Sequence, residues 1–297
     1  MLNIIGNKKI YYVISGIFVL ASVAALILWR LELGIDFTGG SILEVAYMSE
    51  ERPEVNSVYA SLKNLKLNNL KISPVGSDGL ALRFKETDEE THQKIMAVLN
   101  PVEERRFSSI GPTIGTELKK KSYQAVIIVL LAISLYIAWA FRKVSRPVSS
   151  WRYGIVTLVA LFHDIIIPVG LFAFLGHFYG IEVGTNFIVA LLVVMGFSVH
   201  DTIVVFDRIR ENLKRYSELD FNALVNKSLN ETMVRSINTS LSVIIVLLAL
   251  FFFSGESLKY FVLTLLVGIF SGTYSSIFIA APFLVSWLNF LNRKKSD

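Results

Sequence analysis

Six stretches of this 297-residue chain are each long and apolar enough to cross a bilayer, and no other property limits its fold as much. A hydrocarbon core about 30 Å thick takes roughly 20 helical residues to span. Ile10–Trp29, Tyr123–Phe141, Gly154–Leu175, Phe187–Phe206, Ile237–Phe253 and Phe261–Leu288 fit that requirement. Composition agrees: 53% hydrophobic residues and a mean hydropathy of +0.56 are too apolar for an ordinary soluble domain. The first stretch follows Lys8 and Lys9 and contains small residues at Ala21 to Ala25, as a signal peptide does. Its apolar run is longer than the usual core of about 7–15 residues and continues past any such cleavage point, so it reads as a retained helix.

The distribution of Lys and Arg orients the six spans. Basic residues cluster at the N-terminus, at Arg142, Lys143, Arg146 and Arg152, from Arg208 to Arg235, and at Arg293-Lys-Lys295. The alternate loops His177–Gly184 and Ser254–Ser257 contain none. By the positive-inside rule both termini are cytoplasmic, and the segment between the first two spans lies outside. Residues 31–121 of that segment include 12 basic and 14 acidic residues, so the net charge of +5 belongs to the membrane part, where it sets orientation and does not indicate nucleic acid.

The expected organisation is therefore residues 1–30 with the first span, an extracytoplasmic domain at 31–121, and spans two to six at 122–297. Within the domain, Ser41–Met48, Leu70–Val75, Leu80–Phe84 and Glu103–Ile110 read as strands, with a turn at Gly76-Ser-Asp-Gly79. Pro53–Leu67 carries Val55, Val58, Leu62 and Leu65 at helical spacing, and Thr87-Asp-Glu-Glu90 is a capping box opening a helix to about Leu99. The order βαββαβ predicts a ferredoxin-like α+β fold. Asp207–Ser236 is polar with an apolar stripe and reads as amphipathic helices along the cytoplasmic membrane face.

Ionisable groups inside apolar spans cost on the order of 2.5 kcal/mol or more each, so they mark function or pairing. Two His-Asp pairs qualify, His163-Asp164 in the third span and His200-Asp201 in the fourth. On a helix Ser198, Asp201, Val205 and Arg208 share a face, while His200 points about 100° away. Arg235 opens the fifth span at a depth comparable to Asp201 and stands above Asn238, Thr239 and Ser242. Asp201 would take up and release protons and Arg235 would modulate it, since a nearby cation favours the carboxylate and burial favours the acid. A static ion pair, or two side chains snorkelling to the interface, is the alternative. His163 and Asp164, ahead of Pro168, form either an auxiliary proton relay or a packed polar cluster. Gly268, Gly272, Ser276 and Ala280 recur every fourth residue in the last span and predict a close helix-packing seam. Gly34-Ile-Asp-Phe-Thr-Gly-Gly40, with Gly34, Asp36, Gly39 and Gly40, reads as a tight junction or hinge bearing an exposed acid.

Zero cysteines exclude disulfides, thiolate metal sites and cysteine nucleophiles, and without a Walker-type phosphate loop ATP is not the chain's own energy source; no metal and no cofactor is expected. An intramembrane protease built on Ser198 and His200 fails because residues two apart on a helix face different directions.

Three blocks carry a family resemblance: Gly196-Phe-Ser-Val-His-Asp-Thr-Ile-Val-Val-Phe-Asp-Arg-Ile-Arg-Glu-Asn212, the Gly34–Gly40 block, and Gly272-Thr-Tyr-Ser-Ser-Ile-Phe-Ile-Ala-Ala-Pro282. Together they closely resemble the SecF family of bacterial protein-export subunits. The resemblance implies a multi-pass protein of the cytoplasmic (inner) membrane, with SecD, the Sec translocation channel and the translocating preprotein as partners and protons as the coupling ion. It also implies a coupling role for Asp201 and Arg235, whereas His200 departs from the asparagine more usual there. Resistance–nodulation–division exporters share the helical architecture, so a half-transporter of small molecules is the competing function. A single external domain of this size favours export of proteins.

Overall fold

The computed structural model describes residues 1–297 except 49–51, 87, 143–147, 217 and 297. Thr87 of the expected capping box, and Lys143 and Arg146 of the basic loop, lie outside the described residues. In chain order the elements are α1 (Lys8–Trp29), the one-turn α2 (Ile35–Thr38), β1 (Gly40–Tyr47), α3 (Val55–Leu62), β2 (Lys71–Val75), β3 (Gly79–Phe84), α4 (Glu89–Leu99) and β4 (Val102–Ile110). They continue with α5 (Pro112–Ala140), α6 (Ser150–Tyr179), α7 (Thr185–Arg215), α8 (Phe221–Phe253), α9 (Glu256–Ser275) and α10 (Ala281–Ser296). Contacts divide the chain into two compact units, one of Met1–Glu32, Gln124–Ile181 and Asn186–Asp297, the other of Leu33–Tyr123 with Glu182–Thr185.

The second unit is built on a four-stranded sheet in the order β2-β3-β1-β4, every neighbouring pair antiparallel. Leu43 and Val45 of β1 and Leu80, Leu82 and Phe84 of β3 bury one face against Val58 and Leu62 of α3 and Ile95 and Leu99 of α4. The alternation of strand residues and the three- and four-residue spacing of the helices account for this layer.

Asp88 caps α4 from the position before it, its carboxylate accepting the Thr91 backbone N–H at 2.8 Å and the Thr91 hydroxyl at 3.0 Å. Those two donors hold the Asp88 carboxyl below its ordinary value. Glu89 is lowered by hydrogen bonds from Gln93 and then His92. Burial pushes Glu86 up, but donation from the Asn68 backbone and side-chain amide outweighs it and the net shift is downward. A carboxyl lowered by folding stabilises the native state at neutral pH, and that contribution disappears as pH falls through the lowered value. Amide exchange of peptides spanning α4, corrected for intrinsic rate in the full-length protein, should therefore accelerate once the pH drops below about 4.

The first unit contains six helices long and apolar enough to cross a membrane. Their main core joins Val205, Phe206 and Ile209 of α7 to Leu224, Val225 and Leu229 of α8 and to Ala280, Ala281, Leu284 and Val285 at the end of the chain. This arrangement corrects the expectation for Asp207–Ser236. The segment does not form separate surface helices: α7 runs on to Arg215, and α8 starts at Phe221, well before its apolar span. Of its apolar stripe, Leu224, Val225 and Leu229 are buried in the core of the helical unit, Leu213 and Phe221 pack partly against it, and Leu219 is exposed. The last span is nearly continuous, with a π turn at Ser276–Ala280 joining α9 to α10. Pro282 follows that turn and lacks the N–H that an α-helix would offer to Phe278, a position where a wider turn is favoured.

A candidate site of two buried carboxylates

Asp164 on α6 and Asp201 on α7 are both almost fully buried, at 0% and 1% exposure, but they are held very differently. Asp164 Oδ2 accepts the hydroxyls of Ser198 at 2.5 Å and Ser275 at 2.7 Å. Its Oδ1 accepts His163 Nδ1 at 2.9 Å and the Ser271 hydroxyl at 3.2 Å. An ionised carboxylate offers about four acceptor positions, and here donors fill them. Asp201 is served by one oxygen only: Oδ2 faces the hydroxyls of Ser240 at 3.3 Å and Thr273 at 3.5 Å, which bond each other at 2.6 Å. His200 Nδ1 stands 3.7 Å from the other oxygen, Oδ1. These distances lie at or beyond the limit of a good hydrogen bond. Asp201 is thus held by slack contacts on one oxygen, whereas Asp164 is held by short ones on both.

Local sequence explains the contrast. On α9, Ser271 and Ser275 stand four residues apart and aim at Asp164, while Thr273 lies 200° round the helix and aims at Asp201. Between the two carboxylates, Thr202 and Ser276 share a hydroxyl hydrogen bond of 2.9 Å, and Ser276 also donates to the Ser198 carbonyl. Gly268 and Gly272 let α9 approach α7, since a Cβ on Gly268 would stand 2.3 Å from Val194 and one on Gly272 2.9 Å from Ser198; Ala280 is buried further along the stripe. Gly272→Leu should force the two helices apart at a cost of about 1–3 kcal/mol or more. The check is a fall in membrane abundance and in thermal midpoint, with Gly16→Leu, where the space is open, as the unaffected control.

The remaining residues singled out in the sequence are distributed as follows. His163 is buried beside Asp164 and its ring lies 6.1 Å from that of Tyr274. The His200 side chain is 66% exposed although its Nδ1 approaches Asp201, so the two are closer than the helical wheel suggests. Arg235 is exposed, and among the described residues it forms no ion pair with Asp201; the pairing expected across α7 and α8 is absent from the single chain. Ser240 was not singled out in the sequence, because a serine in a helix usually bonds its own backbone, as Ser240 also does to the Ser236 carbonyl. Asn226 and Asn230 also escaped notice. Four residues apart on α8, they bond the backbone of Leu2, Ile4 and Ile5 and tie down the segment before α1.

The junction motif belongs to the other unit. Gly39 and Gly40 adopt φ of +74° and +116°, and a Cβ on either would meet backbone atoms at 2.7 Å. Gly34 N–H donates to the Val183 carbonyl at 2.9 Å. Asp36 is not the exposed acid expected: it is half-buried, and its Oδ2 accepts the Thr185 backbone N–H at 2.6 Å and the Thr185 hydroxyl at 2.8 Å.

Six apolar helices, a small antiparallel sheet and a glycine-rich junction define the class. Residues 91–290 match the family model for the C-terminal part of the protein export membrane proteins SecD/SecF, and residues 30–47 match the SecD/SecF GG motif. The protein translocase subunit SecF of Thermobaculum terrenum is 42% identical over 97% of this chain and 95% of its own length. That of Anaerolinea thermophila is 41% identical over 97% and 94%. The chain belongs to the SecF family. It is similar in structure to the translocon-associated membrane protein SecDF of Thermus thermophilus, with a TM-score of 0.84 and 30% identity over 97% of this chain, and spans 39% of that longer chain. Family and helices together make it a multi-pass protein of the bacterial inner membrane.

Proposed function

We propose that this chain is an auxiliary subunit of Sec-dependent protein translocation, working with SecD beside the Sec channel and using the proton-motive force to help complete preprotein export. The observation that carries the proton role is the slack, one-sided coordination of buried Asp201 beside the fully coordinated Asp164. Asp201 carries the proton, and Asp164 with His163 anchors the helices around it. That the chain's relatives at 41–42% identity are protein translocase subunits supports the translocation role.

Arg235 acts across an interface. Along α8, Arg235, Asn238 and Ser242 are exposed at three- and seven-residue spacing. Polar groups facing lipid are costly, so this stripe is read as the surface that SecD covers, bringing Arg235 to partner groups. The sheet with α3 and α4 is read as a ferredoxin-like extracytoplasmic domain that meets the preprotein, and both termini as cytoplasmic by the positive-inside rule. Export of a secreted reporter by cells carrying Asp201→Asn tests the proton role. Loss of export at matched abundance, with SecD still bound, supports it; wild-type export overturns it.

A further inference from the structure

Helix α7, which carries Asp201, begins without a cap of its own. The first four N–H groups of a helix lack intrahelical partners, and the residue just before the helix normally supplies a Ser, Thr, Asn or Asp side chain to one of them. Here that residue is Gly184, which has no side chain to offer. The Asp36 carboxylate, 149 residues earlier, takes the place by accepting both the N–H and the hydroxyl of Thr185. The two solutions exclude each other: a Cβ on Gly184 would stand 2.5 Å from Asp36 Oδ2, and the nearest atoms to it all belong to Asp36. A remote cap costs sequence economy and gains nothing in helix stability over a local one. What it adds is a tie between the start of α7 and the junction motif.

Other contacts concentrate at the same place. Leu33 and Val183 form a parallel bridge, Gly34 donates to the Val183 carbonyl, and Arg83 of β3 pairs with Glu182. By these contacts Glu182–Thr185 belongs to the unit that contains the sheet, while the rest of α7 belongs to the helical unit. Asp201 follows Thr185 by 16 residues on the same unbroken helix, about 24 Å along its axis.

We propose that Asp36 is a positioning residue that fastens the first turn of the Asp201-bearing helix to the sheet domain, so that movement of the domain and the state of Asp201 are coupled through α7. This rests on the proton-carrying reading of Asp201 and adds the element that links it to the domain. Thr185 is the receiving group, and Gly184 is glycine so that the carboxylate can enter.

The test separates a tie from a mere cap. In the full chain with its partner, Asp36→Ala should speed exchange of the Thr185 amide by about fivefold, the worth of a helix cap, and lower reporter export at matched abundance. Adding Gly184→Ser to Asp36→Ala supplies a local cap in the space vacated. Exchange of the Asn186 and Phe187 amides, the donors a serine before the helix serves, should slow while Thr185 exchange and export stay as in Asp36→Ala, because the local serine caps the helix without joining it to Asp36. If Asp36→Ala/Gly184→Ser restores export, Asp36 is only a cap and the proposal fails. Wild-type export in Asp36→Ala also overturns it. Should Asp36→Ala not accumulate, Asp36→Asn keeps one acceptor oxygen and should give intermediate exchange and intermediate export; raised exchange with undiminished export would refute the tie. Asp201→Asn runs alongside. Its loss of export together with normal export in Asp36→Ala/Gly184→Ser removes the tie alone, whereas wild-type export in Asp201→Asn removes the proton reading and the tie with it.

Discussion

Collapsing the proton gradient should slow late export in wild-type cells and make no further difference in cells carrying Asp201→Asn. The amide matches the carboxyl in shape and keeps an acceptor oxygen for Ser240 and Thr273, so the surrounding helices lose little. It cannot take up a proton, and the whole proton-dependent component of export should vanish with it. Measured with a secreted reporter, an uncoupler titration should be flat for the variant and sloped for the wild type. A variant with normal export that still responds to the uncoupler would place the proton pathway elsewhere. Arg235→Ala should reduce the slope without flattening it, because the arginine stands outside the Asp201 pocket in the single chain.

Asp164→Ala should have a different consequence, loss of the protein itself. Hydrogen bonds inside membrane proteins are worth about 0.6 kcal/mol on average, and Asp164 accepts four of them from three helices. Removing the carboxylate therefore removes roughly 2–3 kcal/mol by that value, and it also leaves the His163 N–H without its closest acceptor. The expected result is a lower thermal midpoint in detergent and reduced abundance after synthesis is stopped. The hydroxyl of Ser275 can fall back on the Gly272 carbonyl at 3.1 Å, which keeps the loss from being larger. Normal stability in Asp164→Ala would mean that the cluster does not anchor these helices.

The two carboxylates differ in how they are coordinated. Their sequence settings are almost the same, a His-Asp pair in an apolar helix, and neither helical spacing nor composition distinguishes them. The difference comes from α9, whose two serines face one carboxylate while a single threonine faces the other.

Much of the architecture could be read from sequence because its causes are local. Span length, strand alternation and the turn at Gly76-Ser-Asp-Gly79 each depend on neighbouring residues and general physics. The six spans and the four strands were legible for that reason. The cap of α4 was nearly so: it begins at Asp88, within the expected box.

What the sequence by itself determined was therefore the set of elements, their approximate bounds and the polar residues worth explaining. Tertiary structure decided which of those residues meet. It brought Asp36 to Thr185, Asn226 to the backbone of Ile4 and Ser271 to Asp164, and it left Arg235 exposed and apart from Asp201. Such pairings join residues roughly a hundred or more positions apart across packed helices and loops, and they depend on helix rotation and depth. Periodicity identifies the buried face of a helix, but only packing against small residues such as Gly268 and Gly272 sets which group on that face comes within hydrogen-bonding distance of another.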